Sequence, residues 1–283
     1  MKKPYIISAD STSDIPKELV ARFGIEILPL YVNLGDKSFR DGIEITNDDI
    51  EQYVKTTGTL PTTSALDPST FIEYFKDASK RAEFVIYFSI SSELSCSFQN
   101  ARLASADFDN VYVIDSQSLC IGEGLSIYKA CELAESGKKP QEIIDYIENY
   151  KTKINGSFVI DNLEYLRRGG RCSAAATLGA NVLQIKPTIE LKDGKLGVGK
   201  KYRGKFLKVV SSYITERLET AKPMDKRVFL AFTRCDDAVA QAAKSAIEES
   251  GLFDEIIVVD AGSTIFCHCG PSTLGIMFAD ENL

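Results

Sequence analysis

The residue with the widest scope for chemistry is His268, because it is the only histidine among 283 residues. Imidazole is the one side chain whose unperturbed pKa lies near neutral pH. His268 stands in the run Cys-His-Cys-Gly-Pro, residues 267–271. The Gly-Pro pair predicts a turn, so we expect the ring to lie at the end of a β-segment, where binding groups often gather. Polar recognition or proton transfer by this chain therefore points first to His268.

An imidazole in such a setting could be a zinc ligand or the base of a serine hydrolase, and the sequence lacks part of the residue set that each of these sites needs. Cys267, His268 and Cys269 are potential zinc ligands, but neighbouring ligands strain tetrahedral geometry and no second ligand pair accompanies them. Ser95 as a nucleophile with His268 as its base would make a stand-alone acyl hydrolase. That pair needs an orienting group, which no sequence pattern identifies. We expect no metal ion and no cofactor, and the hydrolase stays an alternative.

Hydroxyl-rich segments follow three apolar runs that indicate buried strands. They are residues 10–14 (Asp-Ser-Thr-Ser-Asp), residues 89–95 and residues 115–118. In a parallel sheet the carboxyl ends of the strands share one edge, and ligands bind beyond that edge. Serine and aspartate also cap helices, so we expect most of these side chains to be caps. A single hydroxyl that faces a cleft is enough to hold a polar headgroup.

Two further groups of residues suit anion recognition. Residues 61–64 (Pro-Thr-Thr-Ser) form a hydroxyl cluster among glycine and proline, which predicts a loop. Arg167, Arg168 and Arg171 surround a double glycine, and Arg203 follows a predicted hairpin. Guanidinium groups match phosphate and carboxylate oxygens. A solvated surface loop is the simpler interpretation of the same arginines, and the sequence leaves both open.

The first half of the chain alternates strand and helix patterns, which predicts a mainly parallel sheet flanked by helices. Residues 25–32 indicate one strand with an irregularity at Pro29, because proline favours an edge or a break. Thr46 with Asp49 three residues later predicts a capping box at the start of a helix.

The pattern changes after about residue 153. Residues 186–200 predict a hairpin around an Asp-Gly turn. Part of it, residues 194–201, resembles a phosphate-binding loop but has lysine where that loop needs Ser or Thr, so we expect no ATP there. The prediction is an α/β protein with two α/β domains, 1–153 with the parallel sheet and 154–283 with a mixed sheet and helices.

Composition narrows the class of protein. The net charge of −7 argues against nucleic-acid binding, which needs a basic surface. The chain shows no signal-peptide pattern and no apolar stretch long enough to span a membrane. Seven scattered cysteines without a CxxC pair suit a reducing compartment. We therefore expect a cytoplasmic protein.

Taken together, these segments resemble the DegV family. The resemblance runs from residue 5 to about 278 and keeps the order and spacing of the family's motifs. The residues that carry it are 10–14, 63–64, 91–95, 113–116, 163–171, 185–187, Arg203 and 268–275. Cys96 and Ser272 depart from the pattern, because the family usually has glycine at both positions. Both departures add a side chain beside the expected headgroup site.

The resemblance implies that a long-chain fatty acid, such as palmitate, stearate or oleate, binds in a tunnel between two α/β domains. It also implies that the chain is the acyl-carrying subunit of a fatty acid kinase, whose separate ATP-dependent subunit phosphorylates the carboxylate. By position, Thr63, Ser64, Ser95 and His268 would hold the carboxylate. Arg171 and Arg203 would contact the kinase subunit or the phosphate.

Elementary energetics suit such a carrier. A sixteen-carbon acid offers roughly fifteen methylenes at about 0.8 kcal/mol each, so burial of the tail would dominate the affinity. The buried carboxylate needs hydrogen-bond donors, which two hydroxyls and an imidazole supply. A carrier of another apolar carboxylate, such as a bile acid or an isoprenoid acid, is a second alternative. Peripheral membrane contact for lipid exchange is left open.

Overall fold

The structure is a computed structural model that describes residues 2–176 and 185–283. In chain order its strands are β1 (Lys3–Asp10), β2 (Glu26–Leu28), β3 (Tyr31–Leu34), β4 (Lys37–Arg40), β5 (Thr62–Ser64), β6 (Ala82–Ser89), β7 (Val111–Asp115), β8 (Ile154–Ile160), β9 (Ile185–Lys192), β10 (Lys195–Arg203), β11 (Arg227–Thr233), β12 (Glu255–Asp260) and β13 (Thr273–Ala279). Its helices are α1 (Lys17–Phe23), α2 (Asn47–Thr57), α3 (Pro68–Arg81), α4 (Ser97–Ser105), α5 (Ile121–Glu135), α6 (Pro140–Tyr150), α7 (Glu164–Gly169), α8 (Ser173–Ala176), α9 (Phe206–Leu218), α10 (Asp237–Ser250) and α11 (Ser263–Cys269). Short 3-10 turns cover Ser11–Ser13 and Lys151–Lys153.

The parallel sheet predicted for the first half of the chain is confirmed. Its strand order is β2-β1-β6-β7, and every pair is parallel. Helices α3 and α4 pack on one face through residues such as Phe71 and Phe75, and α5 and α6 pack on the other through Ile127 and Ile143. The three hydroxyl-rich segments leave the sheet at the carboxyl ends of β1, β6 and β7, so they share one edge, as expected.

A small antiparallel sheet, with strand order β4-β3-β5, was not predicted. The single strand expected over residues 25–32 is wrong, because the chain breaks at Pro29 and divides between β2 and β3. The loop expected at residues 61–64 is also wrong. Residues Thr62–Ser64 form β5, and Thr63 pairs with Val32 of β3. The predicted capping box of Thr46 and Asp49 is present at the start of α2.

The second half forms the predicted mixed sheet, with strand order β10-β9-β8-β13-β11-β12. Its pairs are antiparallel except for β11 with β12. The predicted hairpin joins β9 to β10, and Asp193 and Gly194 at its turn have φ of 51° and 77°. Two positive φ values are what a primed hairpin turn needs. Helices α9 and α10 cover the outer face of this sheet.

The inner face of the six-stranded sheet packs against α5 and the loops that follow β6 and β7. Leu125 of α5, Ile90, Phe158 and Met277 belong to this shared core. A domain boundary near residue 153 stays a prediction, with the strands of the parallel sheet within 3–115 and those of the mixed sheet within 154–279. In residues 2–176 and 185–283, no helix is long and apolar enough to cross a membrane.

Candidate functional site

His268 lies in the last turn of α11, and the expectation that it ends a β-segment is wrong. The seven residues Ser263–Cys269 are nearly all buried and so lack the polar face that reveals a helix in a sequence. Gly270, with φ of 69°, ends the helix and turns the chain into β13. His268 therefore precedes the turn that the Gly-Pro pair predicted.

The amino end of α11 is fixed by residues more than 200 positions away in the chain. Asp14 Oδ1 accepts a hydrogen bond from the backbone N–H of Gly262 at 2.9 Å, and Asp41 Oδ1 accepts one from Ser263 at 3.0 Å. Asn47 donates to the carbonyl oxygen of Ala261 at 2.9 Å. The two carboxyl oxygens accept from backbone donors that a helix start leaves unpaired, and Asn47 satisfies the carbonyl oxygen just before them. The Asp10–Asp14 motif thus helps to position the histidine.

Thr63 and His268 form the polar centre of the site. Their Oγ1 and Nε2 atoms lie 2.8 Å apart, within hydrogen-bond distance. Burial, together with the nearby positive charge of Arg171, lowers the pKa of His268 to about 4. The ring is therefore neutral at physiological pH. Its Nδ1 atom is buried and has no hydrogen-bond partner among the described residues.

A close glycine contact fixes the position of the imidazole ring. A Cβ atom built on Gly169, the last residue of α7, would lie 2.6 Å from His268 Nδ1. Gly270 is similarly restricted, because a Cβ there would lie 2.5 Å from the ring of Tyr165. The double glycine between the arginines therefore includes one glycine that allows α7 to approach α11.

Ser95 is positioned by the loop that follows β6. Asp10 anchors the start of this loop, because its Oδ2 atom accepts a hydrogen bond from the N–H of Ile90 at 2.9 Å. Ser95 Oγ accepts a hydrogen bond from the N–H of Ser97 at 3.2 Å and donates to Ser97 Oγ at 3.1 Å. Cys96 is exposed beside it, immediately before α4.

These side chains surround a cavity of about 330 Å³, within the range of small-molecule sites. Its polar lining consists of Thr63, Ser64, Ser95, Cys96, Arg171, Thr264 and His268. Its apolar lining consists of Leu30, Ala65, Ile90, Leu94, Leu119, Leu166, Leu196, Ile265 and the thiol-bearing Cys269. Within the described part of the chain, the polar lining includes donors and no carboxylate, so the cavity suits an apolar molecule with an anionic or hydrogen-bond-accepting head.

The predicted arginines differ in position. Arg171 lines the cavity, and its Nη1 atom donates to the carbonyl oxygen of Gly169 at 2.9 Å. Arg203 is exposed at the end of β10 and does not line this cavity. Arg167 and Arg168 are exposed in the last turn of α7.

Of the remaining positions named from the sequence, two line the cavity and one does not. Ser64 lines the cavity, but its hydroxyl accepts a hydrogen bond from the Asn33 amide at 2.8 Å. Cys96 lines the cavity, and Ser272 does not. Ser272 instead has φ of 57°, which explains why glycine suits that position.

Sequence reasoning missed Asp41 and Asn47, whose contacts with α11 span more than 200 residues and leave no local pattern. It also missed the apolar lining, because core and cavity side chains look alike in a sequence. Among residues 2–176 and 185–283, no cluster of His, Cys, Asp and Glu has the arrangement to hold a metal ion.

The fold and cavity define an α/β protein with a mostly apolar cavity that carries a small polar cluster. The model of the DegV family matches residues 5–281, so the chain belongs to the DegV family. A DegV domain-containing protein of Caldanaerobacter subterraneus subsp. tengcongensis is 31% identical, and the match covers 99% of this chain and 100% of that protein.

Solved structures extend the comparison. A DegV family protein from Thermus thermophilus, whose structure is described as one of fatty acid binding, is 32% identical to this chain. The two structures match with a TM-score of 0.88 over 98% of this chain and 99% of that one. DegV from Bacillus subtilis, described as a fatty acid binding protein, is 27% identical with a TM-score of 0.84, covering 99% and 100%. The predicted family and fold class are therefore confirmed.

Proposed function

We propose that this chain binds one long-chain fatty acid in the cavity and presents its carboxylate to a separate kinase subunit. The observation that carries the proposal is the Thr63–His268 pair, with its 2.8 Å contact, in the wall of a mostly apolar cavity. Fatty acid binding by the Thermus thermophilus and Bacillus subtilis relatives supports it. Thr63, Ser64, Ser95 and His268 are the proposed headgroup residues.

The neutral imidazole decides how the headgroup would be held. With its proton on Nε2, the ring donates to Thr63 Oγ1, which leaves the threonine hydroxyl free to donate to a carboxylate. Ser95 would offer a second hydroxyl in the same cavity, with its proton turned from Ser97 Oγ to the carboxylate. A buried carboxylate needs such donors to offset the loss of water. The tail then lies against the apolar lining, where burial of methylenes provides most of the affinity.

The kinase step needs a reactive carboxylate near a surface that another protein can reach. A carboxylate oxygen would attack the γ-phosphorus of ATP held by the partner, and the bond to the ADP oxygen would break to give acyl-phosphate and ADP. Arg171 borders both the cavity and solvent and would stabilise the charge of the transferred phosphoryl group. Arg203, exposed and outside the cavity, would contact the partner. The seven free thiols suit a cytoplasmic setting for this role.

The hydrolase alternative is not favoured by the contacts. Ser95 is hydrogen-bonded to Ser97, while Nε2 of His268 contacts Thr63. His268 Nδ1 has no orienting carboxylate among the described residues. A serine nucleophile with a histidine base needs both relationships.

Native mass spectrometry of the purified protein tests the binding step. We expect an added mass of a fatty acid that disappears in the denatured spectrum, or uptake of palmitate or oleate by empty protein. Protein that stays empty with both acids would refute fatty acid binding, and uptake of a bile acid or isoprenoid acid alone would favour the other carrier. The second step is tested with labelled ATP and a bacterial fatty acid kinase subunit. Lipid-loaded protein that yields no acyl-phosphate would refute the kinase role.

A further inference from the structure

A second, smaller apolar space lies beyond the headgroup cavity. This terminal pocket measures about 30 Å³ and shares Leu119, Ile265 and Cys269 with the larger cavity. Its lining also includes Phe158, Ala231, Gly275 and Met277 of the six-stranded sheet. The two spaces therefore have part of their walls in common, and two of the shared residues, Leu119 and Ile265, are flexible aliphatic groups.

The floor of the terminal pocket is a depression in the six-stranded sheet. Ala231 of β11 pairs with Gly275 of β13, and Gly275 pairs with Phe158 of β8. Paired residues point to the same face of a sheet, so two small side chains lie next to one large one. A Cβ atom on Gly275 would lie 3.1 Å from Cβ of Phe158, which leaves no slack on that side. Ala231 and Gly275 create the space, and Phe158 borders it.

Met277 closes the pocket in the direction of α5. Its Sδ atom lies 2.6 Å from where a Cβ of Gly122 would be and 3.3 Å from that of Gly156. The thioether therefore fills the gap between helix α5 and strand β8. Met277 is buried in the same core as Phe158, so a change in the size of either side chain would change the length of the pocket.

We propose that the terminal carbons of the bound acid occupy the terminal pocket, and that Ala231, Phe158 and Met277 set the longest chain that fits. This inference rests on the proposed fatty acid binding. On entry of the tail, Leu119 and Ile265 change rotamer and join the two spaces. Acids long enough to reach Ala231 gain from the pocket, while shorter acids end in the headgroup cavity.

The test is a series of dissociation constants for saturated acids from twelve to twenty carbons. The protein is compared with Ala231→Leu, which fills the pocket, Phe158→Ala, which enlarges it, and Leu196→Ala as a control. Leu196 lines the headgroup cavity and not the terminal pocket. We expect Ala231→Leu to weaken binding of the longest acids about tenfold, the worth of roughly two buried methylenes, with the twelve-carbon acid unaffected. Phe158→Ala should move the optimum to longer acids, and Leu196→Ala should weaken all acids alike.

The outcomes separate this inference from the function on which it rests. If Ala231→Leu weakens every acid equally, or leaves the optimum unchanged, the terminal pocket does not hold the tail. If the unchanged protein binds none of the acids, the proposed function fails instead. Thermal melting shows whether each variant is folded. Should Ala231→Leu fail to fold, Ala231→Val provides the test with a smaller side chain that suits a strand, and a smaller shift of the optimum in the same direction is expected.

Discussion

Gly169→Ala should displace the histidine on which the headgroup site depends. The added Cβ would lie 2.6 Å from His268 Nδ1, whereas ordinary contacts begin at 3.4 Å. The ring therefore has to retreat by about 0.8 Å. A shift of that size distorts the Thr63–His268 hydrogen bond, now 2.8 Å, because the donor–acceptor distance of such a bond ordinarily varies over only about 0.5 Å. Overpacking of this kind costs about 1–3 kcal/mol of folding stability.

The effect on the ligand follows from the same displacement. Because the displaced ring no longer orients the Thr63 hydroxyl, the carboxylate loses the hydrogen bond that this hydroxyl donates. Such a bond to a buried charge is worth about 1.5–3 kcal/mol, so the dissociation constant for palmitate should rise about 10- to 100-fold. The measurement is a competition titration with a fluorescent fatty acid, read beside a thermal melt. The displaced ring should also show a changed imidazole proton shift in the NMR spectrum, where the only histidine gives a single set of signals.

Gly170→Ala is the matched control. Gly170 has φ of +72°, but a Cβ there meets nothing within 4 Å. This variant should lose about 1 kcal/mol of stability through backbone strain while keeping its affinity for palmitate. If the two variants weaken palmitate binding equally, or if Gly169→Ala leaves it unchanged, then the position of His268 does not control the headgroup.

Three further results are expected. Thr63→Val should weaken palmitate binding by about tenfold or more, because it removes a hydroxyl in the cavity. Thr62→Val changes a residue outside the cavity lining and should leave palmitate binding unchanged. Equal effects of the two variants would contradict the proposed role of Thr63 in holding the carboxylate. NMR titration should place the pKa of His268 in the empty protein near 4, and a midpoint near 6.5 would contradict its burial. Because the unfolded chain binds this proton more readily than the folded chain, His268 lowers the free energy of unfolding as the pH falls from about 6.5 to about 4. Arg203→Ala should reduce phosphorylation by the kinase subunit about tenfold and leave lipid binding intact. Arg171→Ala should weaken both phosphorylation and lipid binding, because Arg171 lines the cavity. An equal loss of lipid binding in the two variants would contradict these separate roles.

The parts of the fold that could be predicted are those that local sequence determines. The strands of the parallel sheet are continuous apolar runs, and the Thr46–Asp49 box is complete within four residues. The three-stranded sheet could not be predicted, because its strands have three or four residues and Thr63 pairs with Val32 far along the chain. The helix that carries His268 is hidden for a related reason, since burial on all sides removes its periodicity.

The site shows the same limit. Residue types and a family resemblance placed Thr63, Ser95 and His268 near one another, and all three line the cavity. Their arrangement depends on Asp14 and Asp41, which fix the start of α11 across more than 200 residues. No periodicity or spacing connects such partners. The terminal pocket depends on Gly275 and Ala231 lying on the same face of the sheet. That placement follows from the register of three strands, which the sequence does not reveal.

A neutral headgroup site has a consequence for the proposed transfer. A bound carboxylate raises the pKa of a neighbouring imidazole by about 1–3 units, so His268, starting at about 4, would remain mostly uncharged at pH 7.5. The imidazole then forms no ion pair with the carboxylate, which the neutral hydroxyls of Thr63 and Ser95 orient. An anion in that state is a better nucleophile toward phosphorus than one paired with a buried cation. Because the headgroup is held without an ion pair to the imidazole, most of the affinity comes from burial of the tail. Selection among different acids then has to arise from the apolar walls of the cavity.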